Sequence, residues 1–243
     1  LTNASTTGNG SVINITNKGN LEFTDCIITN NTANNGGAIC IRVGNFTVKS
    51  SNFTFNNVTN QGGAIAIVTG DVTVNNSTFI NNTAKKNGGA ISIGYYYDGS
   101  KVNGSGNVFI INGSSFTGNK ATTGKESACE GGCVWSIEGN VTVINSTLNN
   151  NYADNGGVVK MLIGTASIVN STLNNNIASG NCGVIASDGN VTVINSTLNN
   201  NKVGNSEHGS ASAITGDNIS IFNSTLNNNT EAYNGVLYAS TNV

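Results

Sequence analysis

Short runs in which Val or Ile alternates with Thr or Ser recur along the chain, separated by bends rich in Gly and Asn. Alternation of this kind predicts β-strands with one apolar face, and no stretch carries the 3.6-residue spacing of an amphipathic helix. The clearest unit is Gly139-Asn140-Val141-Thr142-Val143-Ile144-Asn145-Ser146-Thr147-Leu148-Asn149-Asn150-Asn151, which returns unchanged from Gly189 to Asn201, with a looser copy from Gly164. The glycines that open each copy are Gly19, Gly44, Gly70, Gly106, Gly139, Gly164, Gly189 and Gly216. They set a period of about 25 to 26 residues, with three enlarged copies and about eight turns in all.

A second signature follows the first in every copy. It reads Gly36-Gly37-Ala38-Ile39, Gly62-Gly63-Ala64-Ile65 and Gly88-Gly89-Ala90-Ile91, then drifts to Gly131-Gly132-Cys133-Val134, Gly156-Gly157-Val158-Val159 and Cys182-Gly183-Val184-Ile185. Between the two lies an apolar anchor, at Ile27, Phe53, Phe79, Phe116, Leu148, Leu173, Leu198 and Leu226. Three residues after each anchor stands an asparagine: Asn30, Asn56, Asn82, Asn119, Asn151, Asn176, Asn201 and Asn229.

Strands this short cannot bury an apolar face alone, so equivalent strands must stack in parallel about 4.8 Å apart. The predicted fold is all-β: a right-handed parallel β-helix of about eight turns, three short strands per turn, forming a single domain over 1–243. At that spacing the rod is roughly 40 Å long. Enlarged loops are expected near 94–106, 119–131 and 202–211. The asparagine column is read as a structural ladder, its amides donating and accepting between coils.

Gly-Gly-Ala-Ile together with Phe53-Thr54-Phe55-Asn56, Phe79-Ile80-Asn81-Asn82 and Phe116-Thr117-Gly118-Asn119 resembles the chlamydial-type polymorphic membrane protein repeat. The same strings resemble the Asn- and Thr-rich adhesin-like surface proteins of archaea. The resemblance spans nearly the whole chain and implies a secreted, surface-displayed, adhesin-like scaffold with no reaction attached.

Composition narrows the partners. Only 9% of residues are charged and the net charge is -2, so nothing suits the chain to neutralise a phosphate backbone. The apolar runs fall far below the ~20 residues needed to span a bilayer. Expected partners are other copies of the chain, further repeats of the same chain, or a glycan or protein of a host surface.

Many parallel β-helices act on polysaccharides, so the acids deserve a test. Glu138 and Asp188 share the column before the copy-opening glycine, two turns or roughly 9.6 Å apart. That separation is the outer limit for an inverting glycosidase, and two solvated acids at a bend is the simpler reading. Arg42 has no acid in an equivalent position, and His208 is a lone imidazole in an enlarged copy. No metal site, cofactor or catalytic set is predicted, and the chain is expected not to be an enzyme.

Three groups of residues are candidates for binding or modification. Tyr95, Tyr96, Tyr97 and Trp135 lie in or beside enlarged copies, where aromatic faces suit a sugar or protein ligand. Cys129 and Cys133 bracket a bend and could form a disulfide, although Cys133 also falls in the alanine column and reads equally well as a buried thiol. Ile111, Ile144, Val169, Ile194 and Phe222 follow inward residues by one, making either an outward apolar stripe or a corner that turns inward; the corner is favoured. About 20 asparagines stand in Asn-x-Ser/Thr triplets, the pattern of a glycan acceptor. Those at loops and bends, including Asn3, Asn14, Asn45, Asn103, Asn112, Asn145 and Asn223, are the expected subset. The function expected is an extracellular, non-enzymatic adhesin-like or structural cell-surface β-helix. The alternatives are a filament subunit stacking end to end through open edges, and a polysaccharide-active lyase or hydrolase.

Overall fold

The computed structural model describes residues 1–243 except 95, 98–99, 102–103, 123–128, 205–210, 231–232 and 241–243. The described chain is a parallel β-solenoid without helix, wound so that each strand pairs with its equivalent one coil away, apart from the short antiparallel pair Tyr96–Tyr97 and Ser100–Lys101. Two long sheets dominate. The first has nine strands, from Ile13–Lys18 through Val134–Glu138 to Leu237–Ala239, and the second has eight, from Leu21–Thr24 to Ile219–Phe222. A third sheet of five strands runs from Ile27–Thr29 to Thr147–Asn149 and is prolonged by single bridges through Thr172, Thr197 and Thr225. A fourth sheet, beyond the three expected, consists of seven two-residue strands from Thr32–Ala33 to Lys202–Val203. Two residues are too few to show alternation, which is why the sequence gives no sign of them.

The interior follows the alternation. In the second sheet the first and third positions, Phe46 with Val48, Val72 with Val74 and Val141 with Val143, are fully buried. In the third sheet one anchor per coil points inward, and Phe53, Phe79 and Phe116 stack face to face at 4.8 and 4.5 Å with planes 2° apart. Leu148, Leu173 and Leu198 continue that column.

Two glycines of one signature have separate reasons to be glycine. Gly62 sits at φ +67, a conformation that L side chains rarely adopt, and a Cβ on Gly63 would run into the carbonyl oxygen of Gly89 in the next coil.

The asparagine ladder forms with the expected chemistry and one change of register. Nδ2 of Asn56, Asn82 and Asn119 donates to Oδ1 of the asparagine one coil on at 2.9, 3.0 and 3.1 Å. The other Nδ2 hydrogen goes to an anchor carbonyl one coil back, as from Asn82 to Phe53. Each acceptor oxygen also takes the backbone N–H of its neighbour, so every polar atom of these buried amides is used. In the first coil, however, the rung is Asn31 and not Asn30, because Ile28 is the buried anchor facing Phe53 while Ile27 is 61% exposed. Asn30 sits outside at φ 57, in the column of bends that includes Asn81, Asn150, Asn175 and Asn200.

A second, serine ladder turns the corner between the second and third sheets. Backbone N–H of Ser51, Ser146 and Ser171 donates to Oγ of the serine one coil on, at 3.0, 3.1 and 3.1 Å. Each Oγ donates in turn to a carbonyl two residues earlier, as Ser171 does to Val169 at 2.7 Å. Nothing in composition singles these serines out, since Ser recurs at many outward positions.

Candidate ligand groove on the first sheet

Outward residues of the first sheet form one register: Cys40, Ala66, Ser92, Trp135, Lys160, Ala186, Thr215 and Tyr238. Outward positions should be solvated, yet Cys40, Ala66 and Ser92 are fully buried and Trp135 is 4% exposed. The row is therefore covered in its first half and opens after Trp135. The opening is a groove of about 350 Å³. Lys160, Ala186, Thr215 and Tyr238 make its floor, one residue per coil. One wall is the bend before the strands, with Glu130, Asn155 and Asn181 in successive coils. The opposite wall comes from the bend after them, with Asp188, Asp217 and Ser240.

Its polar groups are already held in place. Trp135 donates its indole N–H to Glu130 Oε2 at 3.0 Å, fixing the carboxylate at the closed end. Lys160 Nζ meets Asp188 Oδ1 at 2.8 Å; the lysine side chain is 12% exposed and its carboxylate partner 61%. The stem of Lys160 thus packs along the sheet while its head reaches the rim. Asp217 Oδ1 accepts from Ser240 Oγ at 2.8 Å. Three carboxylates against one ammonium leave the groove acidic, and Tyr238, 40% exposed, adds an aromatic face at its open end.

The other candidate residues fall elsewhere. Glu138 pairs in register with Ile163 and does not line the groove that holds Asp188, so the two acids do not form a facing pair. Among the described residues no group of three or more His, Cys, Asp or Glu could hold a metal ion. Trp135 is not an exposed ligand platform; its ring is enclosed and its role is to orient Glu130. Tyr95, Asn103 and His208 lie outside the described residues, and Tyr96–Tyr97 is described as a short backbone strand antiparallel to Ser100–Lys101.

Cys129 and Cys133 are thiols and are not joined. Cys133 belongs to the main core in the column of Ala38, Ala64 and Ala90, whereas Cys129 packs with Ala121 and Ala153 behind the fourth sheet, so the bend holds them in separate clusters. Burial pushes the Cys133 thiol well above its usual range and that of Cys182 up to about 11. Ile111, Ile144, Val169 and Ile194 do not turn inward: they are half-buried on the outer face, Phe222 is 56% exposed, and none joins the core. The corner comes one residue later, at the left-handed asparagines, so alternation holds through these positions. Of the expected glycan acceptors, Asn3, Asn14, Asn45, Asn112, Asn145 and Asn223 are exposed.

Among the described residues no helix is long and apolar enough to cross a membrane. No curated protein and no solved structure matches the chain. The sequence model of the Chlamydia polymorphic membrane protein repeat matches residues 25–42 and 76–94. Those segments hold the ladder rungs Asn31 and Asn82 with the Gly-Gly-Ala-Ile strings that follow them, so the similarity to that repeat falls on the residues that build these two coils.

Proposed function

We propose that the chain is a surface-displayed, non-enzymatic, adhesin-like scaffold whose first-sheet groove takes a glycan chain. The observation that carries this reading is the groove itself: an open trough lined by amides, hydroxyls and carboxylates, ending on a tyrosine ring. Its volume of about 350 Å³ lies in the range of small-ligand sites, and neutral hydrogen-bonding groups beside an aromatic face are the usual means of holding a sugar. Its excess of carboxylates favours neutral or amine-bearing sugars over uronic acids. The polymorphic membrane protein repeat supports display at a cell surface.

The test is a glycan array read with the wild-type chain and with Tyr238→Ala and Asp188→Asn. Binding of a neutral or amino glycan that falls about tenfold or more in both variants supports the reading. No binding across the array, or binding that both substitutions leave unchanged, overturns it. Release of reducing ends on incubation with the bound glycan would overturn the non-enzymatic part.

A further inference from the structure

Asparagines in Asn-x-Ser/Thr triplets are sorted by the fold. Twenty triplets occur in the chain, and no triplet asparagine among the described residues is buried. The buried asparagines are Asn31, Asn35, Asn56, Asn82, Asn119, Asn151, Asn176 and Asn201, and none of them begins a triplet. The cause is geometric for the ladder rungs. Two residues past each rung the chain enters the fourth sheet with an inward Ala or Val, such as Ala84, Ala153 or Val203, where a hydroxyl would be buried.

Among the exposed triplets one column stands apart. Asn76 and Asn112 stand at the left-handed corner between the second and third sheets with Nδ2 donating to Ser50 Oγ and Asn75 Oδ1, and Asn145, Asn170, Asn195 and Asn223 occupy the same corner with φ of 50, 48, 49 and 46°. Each of these last four is followed by a ladder serine that faces inward, so the asparagine and the threonine two residues on both face outward. No described group hydrogen-bonds the four amides, whereas Asn45, Asn140 and Asn190 use their Oδ1 between coils. One residue before each corner stands the apolar stripe: Ile144, Val169, Ile194 and Phe222, in register along the rod.

We propose that this corner is the chain's N-glycosylation column, and that its sugars lie over the apolar stripe. Oligosaccharide is transferred from a lipid-phosphate carrier: the asparagine Nδ2 forms a bond to the anomeric carbon, the carbon–oxygen bond to phosphate breaks, and the amide proton leaves with the phosphate. No electrons change hands, and the transferase and carrier lipid belong to the source cell. Successive corners are about 4.8 Å apart, too close for a sugar on each, so alternate coils are used, Asn145 with Asn195 or Asn170 with Asn223. The stripe then gains a cover that leaves the groove on the first sheet open.

Glycopeptide mass spectrometry of protein from its native source tests the assignment. A glycan mass on alternate corner asparagines, with Asn151 and Asn176 unmodified, is expected. Four unmodified corners, or one molecule glycosylated at both Asn145 and Asn170, overturns it. Shielding is tested by replacing Thr147, Thr172, Thr197 and Thr225 with Ala in the native source, which removes the acceptor hydroxyls and leaves the corner residues in place. The unglycosylated chain should bind a hydrophobic dye several-fold more strongly than the native one; equal binding overturns the shielding role.

Discussion

Replacing Asn151 isolates what one rung of the ladder contributes. Its side chain is 1% exposed, accepts the backbone N–H and the Nδ2 hydrogen of Asn119 at 2.9 and 3.1 Å, and donates to Asn176 Oδ1 and to the Phe116 carbonyl at 3.1 and 3.0 Å. In Asn151→Ala the Asn176 oxygen keeps the backbone N–H of residue 151, but two buried donors on Asn119 lose their only acceptor. At about 1–3 kcal/mol for each orphaned group, the loss is about 4 kcal/mol. Asn151→Asp has nearly the same shape and a different fault. The carboxylate still accepts from Asn119, but its second oxygen faces the Phe116 carbonyl and Asn176 Oδ1, both acceptors. The folded state therefore favours the protonated acid, and the folded pKa of this aspartate lies above its unfolded value. Between those two values the native state binds more protons, so stability falls as pH rises. Urea unfolding followed by far-ultraviolet circular dichroism checks both points, with Asn150→Gly as control at an exposed bend of φ 58 that glycine adopts freely. A cost below about 1 kcal/mol for Asn151→Ala, less than the penalty for even one buried orphan, or an Asn151→Asp chain more stable at pH 7 than at pH 4, would refute these assignments.

Other expectations follow from single sites. Phe79 is stacked between Phe53 and Phe116, so Phe79→Ala should cost about 3–5 kcal/mol, while Phe79→Leu, which imports the residue of later coils, should cost under about 1.5 kcal/mol by the same unfolding measurement. Ser136 Oγ is buried with no hydrogen-bond partner among the described residues, and Ser136→Ala should raise stability by about 1 kcal/mol; a loss would mean that the hydroxyl is satisfied. Of five cysteines only Cys26 is part-exposed, and burial holds Cys182 at about 11, so a thiol reagent at pH 8 should label one site in the native chain and all five in denaturant.

The solenoid is legible in the sequence wherever a side chain must meet its own kind one coil away. An amide at the rung has no substitute that both donates and accepts in line, and that requirement keeps Asn56, Asn82 and Asn119 constant while the anchor between Phe and Leu varies. The first coil misleads because Ile27-Ile28 and Asn30-Asn31 are doubled: alternation allows either register, and the stacking of Ile28 on Phe53 decides it. The groove is hidden for another reason. Its floor and walls come from three columns of unlike residues, and its closed end depends on where the Trp135 ring lies, which no periodicity encodes. The disulfide fails on a similar point, since spacing along the chain does not reveal that a bend separates two packing clusters.

The amide-to-amide bonds all point one way: in each, an Nδ2 hydrogen reaches toward the later coil and Oδ1 accepts from the earlier one. A segment cut between two rungs thus presents the same donors at one end and the same acceptors at the other, whichever coils it contains. Gene duplication or loss of a whole 25-residue cassette, such as the span from Asn151 to Asn176, would rejoin like to like and strand no buried group. The length of the rod is then a quantity that evolution can adjust in single-coil steps, with the identical thirteen-residue strings that open the copies at Gly139 and Gly189 as the mark of such copying.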